Sequence, residues 1–315
     1  MNKKIVGSII ISIVISFGLL LVVQNYFPEE RIVKEREFYS QDFSSENELI
    51  FLIGSSNVGQ LNTTLIHEKV SQKFPHSMIY NLSYNGDTPS ERIQTIDKVI
   101  SLNPKIVVYG ITYSDLQAWS VKNHPLPDPQ RFFNDFLTNE VGIDNKINPK
   151  FTTLEIIRKT FSETGLFPPR ELIILDNSPF FPFTSEQITL ADEVELKQQG
   201  DQQQPINIHP ITENKHVNNL NLMIEKFQKN KIDVIIFSVP LHQYSLDQIS
   251  PETKGNFSRI LEQIRNTYDI TVYDFSGKYA NDNDIWANIT HISYNKKSNI
   301  YSDDISSIIL RELEK

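Results

Sequence analysis

Short apolar runs alternate along the chain with longer segments whose apolar positions have helical spacing. The runs are apolar throughout, which is the pattern of strands buried on both faces of a parallel sheet. This order predicts an α/β fold, a flavodoxin-like three-layer sandwich with about five parallel strands and right-handed crossovers. Strands are predicted at 48–53, 77–82, 105–109, 233–238 and 270–273. Helices are predicted at 61–73, 89–102, 213–230, 255–267 and 294–313.

Residues 116–210 interrupt this alternation after the third predicted strand. They contain several prolines, an aromatic cluster at 179–183 and a glutamine-rich run at 197–204. A connection of this length is too long for a plain loop, so we expect an inserted subdomain or lid within a domain that spans 48–315. The glutamine-rich run itself is interpreted as a solvated loop.

The N-terminus contains an uncharged apolar run at residues 5–23, long enough to cross a bilayer as a helix. Lysines precede the run, and no Ala-x-Ala cleavage pattern follows it. We therefore predict a transmembrane anchor at 1–27 and a linker at 28–47. The protein is expected in the cell membrane as a single-pass protein, with a cytoplasmic N-terminus and an extracytoplasmic main domain. A cleaved signal peptide is the alternative.

Composition and charge exclude several classes of function. The net charge of −9 argues against nucleic acid as a partner, because binding phosphates requires a basic surface. The absence of cysteine excludes disulfides and thiolate nucleophiles, and the histidines lack metal-binding spacing. No metal and no cofactor are therefore expected. Four Asn-x-Ser/Thr sequons would be open to glycosylation outside the cell; they begin at Asn62, Asn81, Asn256 and Asn288.

Small and polar residues follow three of the predicted strands. The first strand is followed by Gly54-Ser55-Ser56-Asn57, the second by Asn85-Gly86 and the third by Thr112-Tyr113. Because the carboxyl ends of parallel strands meet at one edge of a sheet, we expect these groups to lie close together. A serine that precedes a helix has free backbone N–H groups beside it, and these favour an oxyanion.

A histidine late in the chain supplies the candidate base. His291 comes just before the last predicted helix, and this position favours it over the other six histidines. An imidazole that meets the serine hydroxyl can accept its proton during attack on an acyl carbon. Without that meeting, the Gly-Ser-Ser segment would be explained by an ordinary strand-to-helix turn.

Together, Gly54-Ser55-Ser56, Asn85-Gly86 and Asn288-x-x-His291 resemble the motifs of the SGNH/GDSL hydrolase superfamily. The resemblance covers roughly residues 48–115 and 232–310. The Gly-Ser-Ser variant and the anchored topology are similar to the DltD-type and AlgJ/AlgX-type proteins, which move acyl groups on cell-surface polymers.

The resemblance implies a role for each matching residue. Ser56 would be the nucleophile and His291 the general base. The backbone N–H groups of Ser56 and Gly86 would help to form the oxyanion hole.

The chain departs from the family at two of the motifs. Asn288 stands where the family has Asp, and an amide orients imidazole without stabilising imidazolium. Asp284 or Asp282 could substitute, or the site could use a Ser-His dyad. The third motif lacks the family's oxyanion-hole Asn, and Thr112 and Tyr113 are the candidate replacements. Ser55, Asn57, Asn85 and His242 are assigned to substrate binding.

These observations predict a membrane-anchored serine esterase or O-acyltransferase that acts on an ester of an envelope glycan, polymer or lipid. The alternative is a catalytically inactive domain of the same fold that binds a surface glycan or envelope proteins. A third possibility is that residues 116–210 carry a function that the sheet domain does not.

Overall fold

The computed structural model describes residues 30–43, 48–117, 173–175, 177–183 and 188–315. The chain divides into two compact units, and the second consists of residues 37–118 and 171–315. The fold and the candidate site belong to the second unit. The predicted anchor at 1–27 and most of the predicted insertion lie outside the described residues. Within the described part of the chain, no helix is long and apolar enough to cross a membrane.

The described elements follow the predicted alternation of strands and helices. The strands are β1 Glu48–Ile53, β2 Ser77–Asn81, β3 Ile106–Ile111, β4 Ile173–Leu175, β5 Ser178–Phe183, β6 Asp233–Ser238, β7 Thr271–Asp274, β8 Trp286–Asn288 and β9 His291–Ile292. The helices are α1 Glu30–Tyr39, α2 Ser56–Gly59, α3 Thr63–Ser71, α4 Pro89–Arg92, α5 Ile96–Ser101, α6 Glu193–Gln202, α7 Lys215–Lys229, α8 Gln243–Asp247, α9 Pro251–Tyr268 and α10 Asn299–Leu313.

Five strands form one parallel sheet in the order β2-β1-β3-β6-β7. The predicted α/β fold with five parallel strands is therefore confirmed. Successive residues of β1 face opposite sides of the sheet: Phe51 and Ile53 join one hydrophobic cluster, and Ile50 and Leu52 join the other. Helices α5, α7 and α9 cover the first side, and α3 and α10 cover the second. Burial on both faces explains why the inner strands β1, β3 and β6 are almost continuously apolar.

Several helix boundaries differ from the predicted ones because of local capping. Helix α3 begins after Asn62, whose side chain accepts a hydrogen bond from Leu65 N. Helix α9 begins at Pro251, after the cap Ser250, and so starts before the predicted boundary at 255. The last helix begins at Asn299 rather than 294, because Asn295 holds the preceding residues in a turn.

The end of helix α1 is packed against the sheet domain. The ring of Phe38 is 3% exposed and lies 5.2 Å from Tyr80, 5.4 Å from Phe180 and 6.2 Å from Phe51, measured between ring centroids. The second half of the predicted linker at 28–47 thus includes residues that belong to the domain. The charged residues around Phe38 concealed this in the sequence.

The end of the predicted insertion is also part of the domain. Strands β4 and β5 pair antiparallel, and Asn177 between them accepts a hydrogen bond of 2.7 Å from Asn81 N at the end of β2. The glutamine-rich run falls largely within helix α6, so its interpretation as a solvated loop is wrong. Leu196 and Gly200 on this helix are buried, and a Cβ on Gly200 would lie 2.8 Å from Tyr244 Cβ. Small and apolar residues at this spacing let a polar helix pack closely.

Two of the sequon asparagines are buried and donate hydrogen bonds to backbone carbonyl groups. Asn81 is fully buried and donates a hydrogen bond of 2.8 Å to Val58 O. Asn256 is 6% exposed and donates a hydrogen bond of 2.8 Å to Ile208 O. A glycan on either side-chain nitrogen would have to break these contacts, so the folded domain does not accommodate one there.

Candidate active site

Ser56 and His291 meet at the carboxyl edge of the sheet. Ser56 is the first residue of α2, which follows β1 directly, and His291 is the first residue of β9. The Oγ atom of Ser56 lies 2.7 Å from Nε2 of His291. This is a hydrogen-bond distance between a hydroxyl and an imidazole, and it matches the geometry of a serine nucleophile and its base.

The turn that carries Ser56 requires glycine at position 54. Gly54 has φ +154°, and a Cβ there would lie 2.5 Å from Val58 Cγ2 and 2.6 Å from the carbonyl oxygen of Gly110. A side chain at this position would therefore collide with the neighbouring strand β3. The glycine lets the chain leave β1 sharply enough to bring the Ser56 hydroxyl above the sheet edge.

Asn288 holds the His291 ring from the other side. Its Oδ1 atom lies 3.0 Å from His291 Nδ1, and it accepts the backbone N–H groups of Thr290 at 3.0 Å and His291 at 2.9 Å. Since two N–H donors point at this atom, it is the amide oxygen. Thr290 Oγ1 also donates to it and lies 2.9 Å from Nδ1, so Nδ1 is surrounded by oxygens that can accept a hydrogen bond. The proton therefore sits on Nδ1, which leaves Nε2 free to accept the Ser56 proton.

The His291 ring is neutral at neutral pH. Burial disfavours the charged imidazolium and lowers the pKa of His291 to about 4. A neutral ring is the form that accepts a proton from serine. The amide of Asn288 fixes the orientation of the ring but adds no negative charge that would raise this pKa.

The acidic residues considered as replacements for the family Asp point elsewhere. Asp284 is exposed and forms an ion pair of 2.8 Å with Lys297. The side chain of Asp282 accepts Asp284 N at 3.3 Å, as the cap of a short 3₁₀ turn. The assignment of Asp284 or Asp282 as the orienting group is therefore wrong, because both carboxylates are engaged within this turn or with solvent-exposed lysine.

Asn57 ties the nucleophile turn to the histidine loop. Its Nδ2 atom donates to the carbonyl oxygen of Thr290, and the residue is 8% exposed. We expected Asn57 to bind substrate, but its amide is instead committed to the loop that carries His291. The contact links two segments 233 residues apart in sequence.

His242 is also structural rather than open to a substrate. It is 2% exposed; its Nδ1 accepts Tyr244 N at 3.1 Å, and its Nε2 lies 2.9 Å from Asn283 Oδ1. Its backbone N–H donates to Ile289 O at 3.0 Å. The assignment of His242 to substrate binding is therefore wrong, since both ring nitrogens have partners in neighbouring turns.

Ser55 faces inward, in contrast to its neighbour Ser56. Ser55 is 3% exposed, and its Oγ lies 3.3 Å from Asn57 Oδ1 and 3.4 Å from Asp115 Oδ2. Its assignment to substrate binding is corrected accordingly. Asn85, the remaining residue assigned to substrate binding, is exposed in the turn beside Gly86.

Two backbone amides remain as candidates for an oxyanion hole. Ser56 is the first residue of its helix, so its N–H has no acceptor within the helix. Gly86 has φ +69°, a left-handed conformation that favours glycine. The hydrogen bond of 3.3 Å from Tyr84 N to Gly54 O joins the Gly86 turn to the turn of Ser56.

The third motif offers no free side chain to this hole. The Oγ1 atom of Thr112 lies 2.8 Å from Ser114 Oγ and accepts Asp115 N at 3.2 Å. The Tyr113 ring is stacked on Phe257 at 4.1 Å. The Tyr113 residue is 5% exposed, so its ring is buried in the core against α9. Both replacements expected for the family Asn are thus engaged in local or core contacts.

A buried ion pair beneath the second motif was missed in the sequence. Asp87 and Arg92 are each 1% exposed, and Arg92 Nε donates to Asp87 Oδ2 at 2.8 Å. Arg92 also donates to Leu82 O at 2.8 Å and lies over the Tyr84 ring. Burial raises the pKa of Asp87 to about 6, against the lowering effect of Arg92, so the pair is charged at neutral pH. It fixes the turn that carries Gly86.

Asp115 is a second buried carboxyl group near the nucleophile turn. It is 5% exposed and accepts Thr112 N at 2.8 Å. Burial raises its pKa to about 7, although the hydrogen bonds from Thr112 and Ser55 lower it. Among the described residues, no three His, Asp or Glu side chains are grouped so as to hold a metal ion.

No family model and no curated protein matches the sequence. Solved structures with a similar course of the chain include a GDSL-like lipase from Bacteroides thetaiotaomicron, with 14% identity, coverage of 91% of this chain and 97% of that one, and a TM-score of 0.43. A second is a putative acylhydrolase from Bacteroides fragilis, with 12% identity, coverage of 91% and 97%, and a TM-score of 0.44. A third is a catalytic mutant of an acetylxylan esterase from Geobacillus stearothermophilus, with 11% identity, coverage of 86% and 96%, and a TM-score of 0.41. At these values, function has to be inferred from the side chains themselves.

Proposed function

We propose that this protein is a serine esterase of the SGNH type, with Ser56 as nucleophile and His291 as general base. The hydrogen bond of 2.7 Å between Ser56 Oγ and His291 Nε2 carries the proposal. Further support comes from the tautomer of the ring, which Asn288 fixes with the lone pair on Nε2 toward the serine.

The reaction follows from this geometry. Ser56 Oγ bonds to the acyl carbon of an ester while its proton moves to His291 Nε2. The carbonyl oxygen becomes an oxyanion, which the N–H groups of Ser56 and Gly86 stabilise. The imidazolium then returns the proton to the leaving alcohol, and the C–O bond of the ester breaks. Water, or a second alcohol, attacks the acyl-serine in the same way and restores the hydroxyl of Ser56.

The neutral amide of Asn288 sets the strength of the catalysis. It holds Nδ1–H in place, as the family carboxylate does, but it cannot stabilise the positive ring that forms when Ser56 attacks. The third motif also contributes no side-chain donor to the oxyanion. We therefore propose a slow esterase rather than a fast one.

A more specific proposal concerns the cellular location of the protein and its substrate. The apolar run at 5–23 supports a single membrane anchor and an extracytoplasmic domain. A tethered domain is suited to an ester that belongs to the envelope itself, whether on a glycan, a polymer or a lipid. The acyl-serine is equally an intermediate for hydrolysis and for O-acyl transfer, so an acceptor alcohol in the envelope would make the protein a transferase.

Labelling with a fluorophosphonate tests the nucleophile. The full-length protein should form one adduct, located on Ser56 by mass spectrometry, and Ser56→Ala should abolish it. A matched control exists, because Ser90 Oγ lies 3.0 Å from His216 Nδ1 in a second serine–histidine contact between α4 and α7. Ser90→Ala should leave the labelling unchanged. A folded wild-type protein that remains unlabelled would contradict the proposal.

A second candidate function is favoured by the neutral Asn288 and the engaged Thr112. These features are also those of an inactive domain that keeps the fold and binds a surface glycan or an envelope protein. The two candidates differ in the hydrolysis of p-nitrophenyl acetate. The esterase requires a wild-type rate above that of Ser56→Ala, whereas equal rates in two folded proteins support the binding domain.

A further inference from the structure

The turn that precedes His291 is held by its backbone at Ile289. This residue is 7% exposed, and both of its backbone polar groups have partners outside the turn. Its N–H donates to Oε1 of Gln199 at 3.1 Å, and its carbonyl oxygen accepts the N–H of His242 at 3.0 Å. These two hydrogen bonds hold the backbone between Asn288 and His291 from two sides.

Gln199 lies on a segment that contacts the same hairpin elsewhere. Ala191 N donates to Trp286 O at 2.9 Å, and Ser293 Oγ donates to Ile188 O at 2.7 Å. Leu196 on α6 and Trp286 on β8 are both fully buried in one hydrophobic cluster. Residues 188–202 therefore pack along β8 and β9, and these contacts place Gln199 beside Ile289.

The orientation of the Gln199 amide is itself determined. Its Nε2 atom donates to Glu195 Oε1 at 3.3 Å, one helical turn earlier, so that Oε1 faces Ile289. A buried N–H without an acceptor is unfavourable, and Gln199 is the acceptor for Ile289. The neighbouring Gln198 and Gln202 are exposed on the same helix.

We infer that Gln199 is a positioning residue for the proposed base, acting through Ile289 to hold His291 against Ser56. The inference rests on the proposed function, because it assumes that His291 accepts the proton of Ser56. Small displacements of a catalytic group lower the rate strongly, and groups that orient it from behind are part of how a site is preorganised.

The test compares Gln199→Met with Gln198→Met in the full-length protein. Methionine keeps the length of the side chain and its helix propensity but removes the acceptor. With p-nitrophenyl acetate as substrate, Gln199→Met should lower kcat on the order of tenfold, with little change in KM. The rate of fluorophosphonate labelling should fall in parallel, and Gln198→Met should behave as wild type. Equal kcat values in the two variants overturn the inference.

Exchange of the pair separates positioning from a general loss of structure. The double variant Glu195→Gln, Gln199→Glu keeps an acceptor at position 199 and a donor at 195. It should restore most of the lost kcat. If Gln199→Met lowers the melting temperature and raises KM as much as it lowers kcat, and the exchange restores nothing, the residue only braces the fold and the inference is wrong.

A measurement independent of turnover keeps this result distinct from failure of the proposed function. The His291 ring can be followed by NMR in protein with labelled histidine, assigned with His291→Gln. If Gln199 holds the loop closed, Gln199→Met should admit water and move the titration of His291 toward the ordinary histidine range, while Gln198→Met should not. An unchanged titration contradicts the positioning role even if the wild-type protein proves inactive toward esters.

Discussion

Asn288 Oδ1 lies 3.0 Å from His291 Nδ1, so an amide oxygen occupies the place from which a carboxylate would both orient and charge-stabilise the ring. Orientation and charge are separate contributions to a serine hydrolase, and this site retains only the first. The same oxygen is held by backbone N–H groups of Thr290 and His291, which would also stabilise a carboxylate. The backbone around position 288 would therefore stabilise an aspartate side chain, although the residue there is asparagine.

Asn288→Asp should raise the esterase activity. A carboxylate at this position would stabilise the imidazolium that forms during attack, and we expect kcat for p-nitrophenyl acetate to rise at least about tenfold. It should also raise the pKa of His291, so the acid limb of kcat/KM should move to higher pH. Asn288→Ala, which removes the orienting oxygen, should lower kcat instead. A variant that folds but gains no activity would show that the amide is not what limits the rate.

The wild-type protein should stay active in mild acid. Because burial lowers the pKa of His291 to about 4, the neutral base persists through the range in which ordinary histidines become protonated. We expect kcat/KM to fall only as the pH approaches 4. A pH–rate profile with a limb near 6.5 would contradict a ring that stays neutral in mild acid.

The same shift has a consequence for stability. The pKa of His291 is lower in the folded than in the unfolded state, so the unfolded state becomes protonated first as the pH drops. The free energy of unfolding should therefore fall between about pH 6.5 and about pH 4. His291→Gln should lack this contribution. Urea unfolding at pH 7 and pH 4.5 should show a smaller decrease in the free energy of unfolding for His291→Gln than for the wild type.

The sheet was predictable because its inner strands have a recognisable local sequence pattern. Runs such as residues 49–53 of β1 are apolar throughout, and this pattern alone indicates burial on both faces. The orientation of Tyr113 was predictable as well, although we assigned it wrongly. Tyr109, Ile111 and Tyr113 all join one hydrophobic cluster, which continues the two-residue period of β3 beyond its last residue.

The support of the His291 loop could not be predicted in this way. Gln199 and Ile289 are 90 residues apart, and Asn57 and Thr290 are 233 residues apart. A hydrogen bond between distant polar side chains and backbone groups leaves no periodic trace in either segment. A glutamine-rich run is typical of solvated segments, so the one glutamine that contacts the site does not stand out from its neighbours.

Asp115→Asn should stabilise the protein at neutral and higher pH. Burial raises the pKa of Asp115 to about 7, whereas an unfolded aspartate ionises near pH 4. The free energy of unfolding therefore falls as the pH rises from about 4 to about 7, because the unfolded state loses its proton first. The amide of the Asp115→Asn variant keeps an oxygen that can accept Thr112 N–H. Because the amide does not ionise, the variant avoids this decrease in the free energy of unfolding, which amounts to at most roughly 4 kcal/mol. Urea unfolding at pH 4.5 and pH 8 should show an advantage of the variant that grows with pH; a constant difference contradicts it.

Removing Arg92 should destabilise the domain more than removing the charges of both partners. Arg92→Met leaves the carboxylate of Asp87 buried without its cation, and loss of one partner of a buried pair typically costs about 3–5 kcal/mol. Asp87→Asn in the same chain removes the stranded charge, so the double variant should recover part of the lost stability. The single variant should also be less affected at pH 5 than at pH 8, since protonation of Asp87 neutralises it. Denaturant unfolding of the wild type, Arg92→Met and the double variant at both pH values measures these differences. A double variant less stable than Arg92→Met would show that the Gly86 turn depends on the charged pair itself.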